Sequence, residues 1–438
     1  MDDKFNFFQQ WYPISPIEDL DPNKPTAVTL LGLSLVIWKP RNATNYRIFL
    51  NQCPHRLAPL SEGRIDEKTD NLMCSYHGWE FDTQGKCTRI PQAENPELAG
   101  KNICAIAFPT RQENNLLWVW ADSNSTEKAE NTPLPLSPLI DASKGFVWSS
   151  FVRDLEYDWQ TLVENVCDPS HVAFAHHGVQ GNRERAKPIP LTIDRSTSSI
   201  IQATTDAPFK TTITFQPPCR LEYNISFGND GKKIGLVTYC MPVAPNKSRI
   251  VAQFPRNFAK TLHRIIPRWW EHINTRNLVL DGDMILLRQQ EYFLQQRSDS
   301  WQTAYKLPTS ADRLVIEFRK WLDRNCDARL PWNAKQLNNS ELNPLACSRE
   351  ILLDRYHQHT QHCSSCRNTL ETIKTVQWIL LIYFVLAVSG VAVMSDSLRI
   401  SLGLPLVILA ILGLGVYSWL KFWLQPKFYF VDYIHSER

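Results

Sequence analysis

Hydrophobic positions along this chain change their period several times, and each change predicts a different element. The runs AVTLLGLSLVIWK (27–39), YRIFL (46–50) and LLWVWA (116–121) are rich in β-branched and aromatic residues and bounded by turn formers, which predicts strands. A polar and then Pro-rich stretch over 122–138 reads as a linker. A first domain is therefore expected over 1–125 and a linker over 126–145. From 146 to 345 the pattern is mixed. Helical periodicity covers 155–177, short strand-like runs such as TTITF and GLVTYCMPV fill 189–254, and helical periodicity returns over 260–330. That order predicts an α+β domain built on one antiparallel sheet.

The C-terminal part is different. The runs VQWILLIYFVLAVSGVAVM (376–394) and LGLPLVILAILGLGVYSWL (402–420) are almost continuously apolar. Each approaches the roughly 20 residues that cross a hydrocarbon core. The short connector SDSLR predicts a transmembrane helical hairpin over 375–424, preceded by a segment over 346–374 and followed by a tail over 425–438. Lys374, Lys421 and Lys427 flank the runs on the outside, while the connector holds only Arg399. The positive-inside rule then puts both ends of the hairpin, and the large domain, on the cytoplasmic or stromal side. Trp378, Tyr417, Trp419 and Trp423 stand where interfacial anchors stand. A buried hairpin in a soluble core is the competing reading.

Composition narrows the class. With 47 basic and 44 acidic side chains among 438 residues, nothing points to nucleic acid. An odd set of 11 irregularly spaced cysteines does not form an extracellular disulfide framework, so a reducing compartment is expected. The opening MDDKFNFFQQ is unlike a signal or transit peptide, so the protein is expected to work where it is made, or an upstream segment is missing.

Two metal patterns stand out. Cys53-Pro-His55 is followed, after eighteen intervening residues, by Cys74-Ser-Tyr-His77. Two thiolates can hold one iron of a [2Fe–2S] cluster and two neutral imidazoles the other, which raises the potential above that of an all-cysteine cluster. A Cys₂His₂ zinc site is the competing reading, but zinc fingers order their ligands C–C–H–H, and here thiol and imidazole alternate. Cys87, just downstream, reads as an ordinary thiol. The second pattern is Asn165-x₂-Asp168-x₂-His171-x₄-His176. Two histidines and a carboxylate on one face leave positions open for O₂ on Fe(II). Asp168 and His171 are expected to share a helix face. His171 and His176 diverge by roughly 140° on an ideal helix, so one must sit at a helix end or distortion. His177 competes with His176. The carboxylate is expected in LVLDGDMILLRQQE (278–291). Asp283, at the head of an apolar helical run, is the first choice and Asp281 the second. Either could be merely a helix-start acid.

Cys363-Ser-Ser-Cys366 lies just ahead of the first apolar run. It suits a thioredoxin-reducible pair. With His357, His359 and His362 alongside, it also suits zinc, or it is inert.

Cys53 to Lys86 resembles a Rieske domain of the ring-hydroxylating oxygenase type. Respiratory and photosynthetic Rieske proteins carry an extra, disulfide-paired cysteine in each ligand loop. CPHRLAP and CSYHGW carry none, which favours the oxygenase branch. The family spacing selects His176 over His177. The family also places an acid at the head of a run like that of Asp283, and a bridging aspartate at Asp168, with Asn165 counted beside it among the candidate catalytic residues. WYPI (11–14), EDLDPNKP (18–25), AHHG (175–178), GNRERAKP (181–188) and HCSSCRN (362–368) are similar to the pheophorbide a oxygenase group. That resemblance implies an all-β Rieske domain, a helix-grip (START-like) catalytic domain and a mononuclear Fe(II). It implies a chlorophyll-related tetrapyrrole opened at the macrocycle or hydroxylated at a methyl group with O₂, and electrons from reduced ferredoxin. It implies a homotrimer in which Asp168 links a cluster histidine of one subunit to an iron histidine of the next. The expected location is a thylakoid or plasma membrane of a cyanobacterium, or a chloroplast membrane.

The competing class is a membrane-bound Rieske carrier or redox sensor attached to a translocon. Iron analysis of the purified chain separates the two: three irons per chain are expected for an oxygenase, and two would identify a carrier.

Overall fold

Strand-forming runs in the N-terminal part fold into three small antiparallel sheets. In the computed structural model residues 4–99, 102–228, 231–297, 300–326 and 347–437 are described; the expected domain end at 345 falls outside them. The first sheet orders Trp11–Pro16, Leu116–Trp120 and Thr110–Glu113. The second orders Thr26–Leu30, Leu33–Trp38, Arg47–Leu50 and Ala107–Phe108. The third is a meander of Arg64–Ile65, Leu72–Met73, Glu80–Phe81 and Cys87–Arg89. The run 27–39, read from sequence as one strand, is a hairpin. Leu30 pairs with Leu33, and Leu31 and Gly32 take φ of 52° and 73° between them. Two left-handed residues are what a two-residue hairpin turn requires, and a leucine there conceals it.

The second part is one seven-stranded antiparallel sheet. Its order is Ser150–Leu155, Lys247–Gln253, Lys232–Ala244, Arg220–Phe227, Lys210–Gln216, Ile201–Thr205 and Thr192–Ser196. Helices α1 (Trp159–Cys167), α2 (Val172–Ala175), α3 (Asn277–Gln295) and α4 (Arg313–Asn325) accompany it. Trp159 anchors α1 to the sheet by donating its indole N–H to the Cys240 carbonyl at 3.0 Å. Phe318 and Trp321 of α4 meet Phe215 edge-on. One core runs through both parts, from Trp11, Trp118 and Trp120 to Tyr239 and Val251. The turn amides of Leu31 and Gly32 bond the Pro242 and Val243 carbonyls at 2.9 and 2.8 Å. The stretch read as a linker contains a short helix, Thr126–Asn131. Arg111 and Trp11 strap it down through the Ala129, Glu130 and Thr132 carbonyls.

Helix α1 begins later than the pattern 155–177 suggests and ends at Cys167. Asp168 has left the helix, with φ −98° and ψ 108°. Pro169 follows; its ring restricts the residue before it to extended backbone. Asp168 and His171 therefore flank a break instead of sharing a helix face. Asp283 does not open its helix either, since α3 starts at Asn277 and is preceded by a π-helical turn, His272–Arg276.

Behind α3 lies a buried charge cluster. Asp281 receives Arg153 at 2.7 Å and Arg355 at 2.5 Å, and all three side chains are fully buried. Arg153 also donates to the Asn277 carbonyl and to Gln358. Arg355 donates to the Ile273 and Lys427 carbonyls. Sheet edge, α3, the segment before the apolar helices and the C-terminal tail thus share one carboxylate.

Helix α5 (Ser364–Ala392) and the helical stretch Asp396–Phe428, which contains α6 (Leu404–Trp419), are each long and apolar enough to cross a membrane. They pack as a hairpin: Leu380 rests on Gly413, and the Tyr383 hydroxyl donates to the Leu406 carbonyl. Their outer faces, with Ile382, Leu386, Ile411 and Leu412, are exposed. At the base, Trp419 stacks on Trp423, and Lys427 sits 3.6 Å over the Trp423 ring.

Replacing Asp281 by alanine leaves two buried guanidinium groups without their anion. A loss of about 3–5 kcal/mol in unfolding free energy is expected, measurable by denaturant titration of the detergent-solubilised chain. A loss below about 1 kcal/mol would contradict this account.

Candidate metal centres

The two ligand loops of the N-terminal part fold alike. In each, the cysteine carbonyl accepts from the amide four residues on (Leu57 to Cys53, 2.8 Å; Gly78 to Cys74, 2.9 Å). In each, the cysteine amide donates to the carbonyl five residues on (Ala58 at 2.8 Å, Trp79 at 2.9 Å). The fourth position is left-handed in both, at φ 59° for Leu57 and 71° for Gly78. Two similar loops thus face each other from the ends of the second and third sheets. Cys53 and Cys74 lie in a core with Val36, Trp38, Phe49 and Phe81. His55 and His77 lie outward with ring centroids 4.5 Å apart, and Trp79 stacks flat on His55 at 4.3 Å. Burial, with neighbouring Cys74 adding to it and the His55 amide opposing it, pushes the Cys53 thiol up to about 12. Cys87 is buried in the same core, as an ordinary thiol would be.

The second group assembles around the break after α1. The His171 Nε2 and His176 Nε2 atoms are 3.1 Å apart. Asp283 brings Oδ2 to 3.5 Å from His176 Nε2 and Oδ1 to 3.9 Å from His171 Nε2. The 140° conflict vanishes because α2 is a four-residue helix with a histidine just outside each end. The Asp168 carbonyl takes the His171 Nδ1 proton at 2.6 Å, leaving Nε2 free to bind a metal. The Asp168 carboxylate accepts from the Ser170 amide and hydroxyl at 2.7 and 2.5 Å. Asn165 hydrogen-bonds Asp283. His177 points elsewhere and accepts from the Arg183 amide. Asp281, the alternative carboxylate, is held by its two arginines on the far side of α3.

Close approach of α2 to α3 depends on Gly282, where a Cβ would lie 2.8 Å from the Ala175 carbonyl and 3.2 Å from the Tyr433 hydroxyl. Tyr433 donates to that same carbonyl at 2.8 Å. Neither residue was found from sequence. An aromatic in a short tail carries no periodic signal, although a Gly inside a helical run does hint at close packing.

The CxxC thiols are also clustered, but with only one of the three expected histidines. His357 pairs with Asp354 and is exposed, and His362 meets Gln361. Only His359 reaches the thiols. His272, from the π-helical turn before α3, completes a buried group with Cys363 and Cys366.

Comparison with known proteins fits a Rieske cluster and a mononuclear iron as cofactors. Residues 10–108 match the Rieske [2Fe–2S] domain family, and residues 215–301 match the pheophorbide a oxygenase family. Pheophorbide a oxygenase of Oryza sativa subsp. japonica is 39% identical over all of this chain and 86% of its own length. This chain belongs to the pheophorbide a oxygenase family. The Arabidopsis thaliana pheophorbide a oxygenase is 40% identical over 82% of this chain and 71% of its own. Dicamba monooxygenase bound to 3,6-dichlorosalicylic acid, at 18% identity, shares the fold with a TM-score of 0.60 over 73% of this chain and 98% of that one. Members of the pheophorbide a oxygenase family are Rieske non-haem iron oxygenases. A Rieske cluster and a mononuclear iron follow for this chain.

The residues present fit both groups. Two buried thiols opposite two outer imidazoles suit the cluster. For the mononuclear site, the His176 Nδ1 atom is buried without a hydrogen-bond partner, so Nε2 has no competing tautomer imposed on it. Burial, reinforced by His171, lowers His176 to about 3. Burial raises Asp283 to about 6, with Asp168 adding to it and His171 and Asn165 opposing it. Near neutrality His176 is therefore a neutral imidazole and Asp283 a carboxylate, the protonation a ferrous ion needs of each.

Below pH 6 a proton occupies Asp283 and competes with the metal. Fe(II) affinity of the iron-depleted protein is expected to be level above about pH 7 and to fall about tenfold per unit below 6. Chelator competition between pH 5 and 8 reads this; a level profile down to pH 5 would remove Asp283 from the ligand set.

Proposed function

We propose that this chain is a membrane-anchored, ferredoxin-dependent oxygenase acting on a chlorophyll-derived tetrapyrrole. The observation that carries the reading is the convergence of His171, His176 and Asp283 in the same chain as the two Rieske loops. An electron carrier has no use for that second site. Similarity to pheophorbide a oxygenases along the whole chain supports a tetrapyrrole substrate, either opened at the macrocycle or hydroxylated at a methyl group.

In this proposal Cys53, His55, Cys74 and His77 hold the cluster, and His171, His176 and Asp283 hold the iron. Bound there, the metal supplies dioxygen activation using electrons delivered by the cluster. The chain does the rest. Asp168 fixes the His171 tautomer through its carbonyl, and Asn165 keeps the Asp283 carboxylate turned toward the histidines. Phe174, between the two histidines on α2, and Leu286, one turn beyond Asp283 on α3, are exposed. They offer apolar surface beside the site, which suits a flat pigment. The Asp168 side chain is about a quarter exposed at 26%. That exposure leaves its carboxylate open to a cluster histidine of a neighbouring subunit, as a trimeric arrangement needs. Helices α5 and α6 anchor the protein in a thylakoid, plasma or chloroplast membrane, with the catalytic domain on the side where ferredoxin is found.

The test is turnover of a tetrapyrrole panel with reduced ferredoxin and O₂. His171→Ala is expected to lower product formation by more than about a hundredfold while the EPR signal of the reduced cluster persists. Wild-type turnover by this variant would refute the iron site, and a wild-type enzyme inert toward every pigment would refute the substrate class.

A further inference from the structure

We propose that His272 Nδ1, His359 Nε2, Cys363 Sγ and Cys366 Sγ form a third metal centre, a closed structural zinc site separate from both iron sites. All four side chains are buried, and their donor atoms lie within 4.8 Å of one another. His272 Nδ1 is 3.6 Å from each sulfur. His359 Nε2 is 3.3 Å from Cys366 Sγ. A tetrahedral zinc ion with bonds of about 2.0 Å to nitrogen and 2.3 Å to sulfur has donor–donor edges of about 3.3–3.8 Å. The observed separations match those edges, so the donors need not move far to close on an ion.

The surroundings are those of a ligand set. His359 gives its Nδ1 proton to the Val152 carbonyl at 2.6 Å, which fixes the tautomer and turns the Nε2 lone pair toward the sulfurs. Phe151 lies against both imidazoles, stacked on His359 at 4.6 Å and edge-on to His272 at 5.0 Å. Cys363 precedes the first turn of α5, where the helix dipole favours a thiolate. Arg268 approaches its sulfur at 3.9 Å. Hydrogen bonding from Cys366 holds the Cys363 thiol below its ordinary range, with His272 and His359 helping, while burial raises Cys366. Binding one Zn²⁺ to two thiolates and two neutral imidazoles releases the thiol protons and leaves the buried site uncharged. Two soft and two borderline donors with no open position suit zinc in a structural role.

Burial also weighs against a thioredoxin-reducible pair. Both sulfurs belong to residues of 0% exposure, and an exchange partner must reach a sulfur. The site would fasten three elements at once. His272 leads into α3, the helix that carries Asp283. Val152 lies on the edge strand, and Cys363 and Cys366 begin α5.

Full-length protein, purified in detergent without a histidine tag or chelator, provides the test. Elemental analysis is expected to give one zinc per chain beside the iron. Zinc-edge X-ray absorption should show two sulfur and two nitrogen scatterers. The double variant Cys363→Ser/Cys366→Ser should fall below one-tenth of a zinc per chain while keeping the EPR signal of the reduced Rieske cluster. Less than one-tenth of a zinc in the wild type, an oxygen-only zinc shell, an extra iron in its place, or a Cys363–Cys366 disulfide as the main form after thiol blocking would each overturn it.

Discussion

Asp281 is the fixed point of the catalytic half. Its carboxylate lies between two guanidinium groups that have no solvent to turn to, so α3 cannot rotate about its axis without stranding them. Residues two apart on a helix point about 200° apart. Pinning Asp281 toward Arg153 and Arg355 therefore turns Asp283 toward the opposite face, where His171 and His176 stand. Gly282, between the two acids, adds no side chain and lets α2 come close. The cluster does not provide affinity for a metal. It sets the direction in which the neighbouring carboxylate points, and desolvation makes any other arrangement costly.

That division of labour explains why reading the chain could rank Asp283 above Asp281 but gave no physical ground of its own for the choice. Both lie in one apolar helical run, and both resemble helix-start acids. What distinguishes them is Arg153 and Arg355, which are remote in sequence and carry no pattern of their own. The Rieske loops were far more legible, because each takes its ligands from within six residues and its conformation from hydrogen bonds inside the same loop. The α+β order and the paired apolar helices were also legible, as periodicity is a local property. The break after Cys167 was not. A run of apolar positions continues through it, and only Pro169 hints that the backbone must leave the helix. The Leu31–Gly32 hairpin was hidden for a related reason: a leucine in left-handed backbone looks like another strand residue.

The sulfur–imidazole group illustrates the same limit in reverse. Its two cysteines were evident, and three nearby histidines made a local ligand set look sufficient. Two of those side chains face other partners. The histidine that does arrive comes from a π-helical turn far upstream, and His359 sits on another such turn, Tyr356–Thr360. Widened turns of this kind alter the direction of the residues they carry relative to the ordinary helical period, so spacing alone could not assign them.

The helix that starts beside these sulfurs has a mechanical consequence. From Ser364 to the start of the continuous apolar run at 376 it runs without interruption for about 12 residues, or about 18 Å at the usual rise. Asp19 of the N-terminal part accepts from the Ser364 amide and hydroxyl, both at 2.9 Å, and so grips its foot. The globular part is thus mounted on a stiff post, not hung from a loose cord. Under the proposed membrane anchoring, α5 would set both the height of the body above the lipid headgroups and its tilt, so an incoming molecule would meet the same doorway at the same elevation each time.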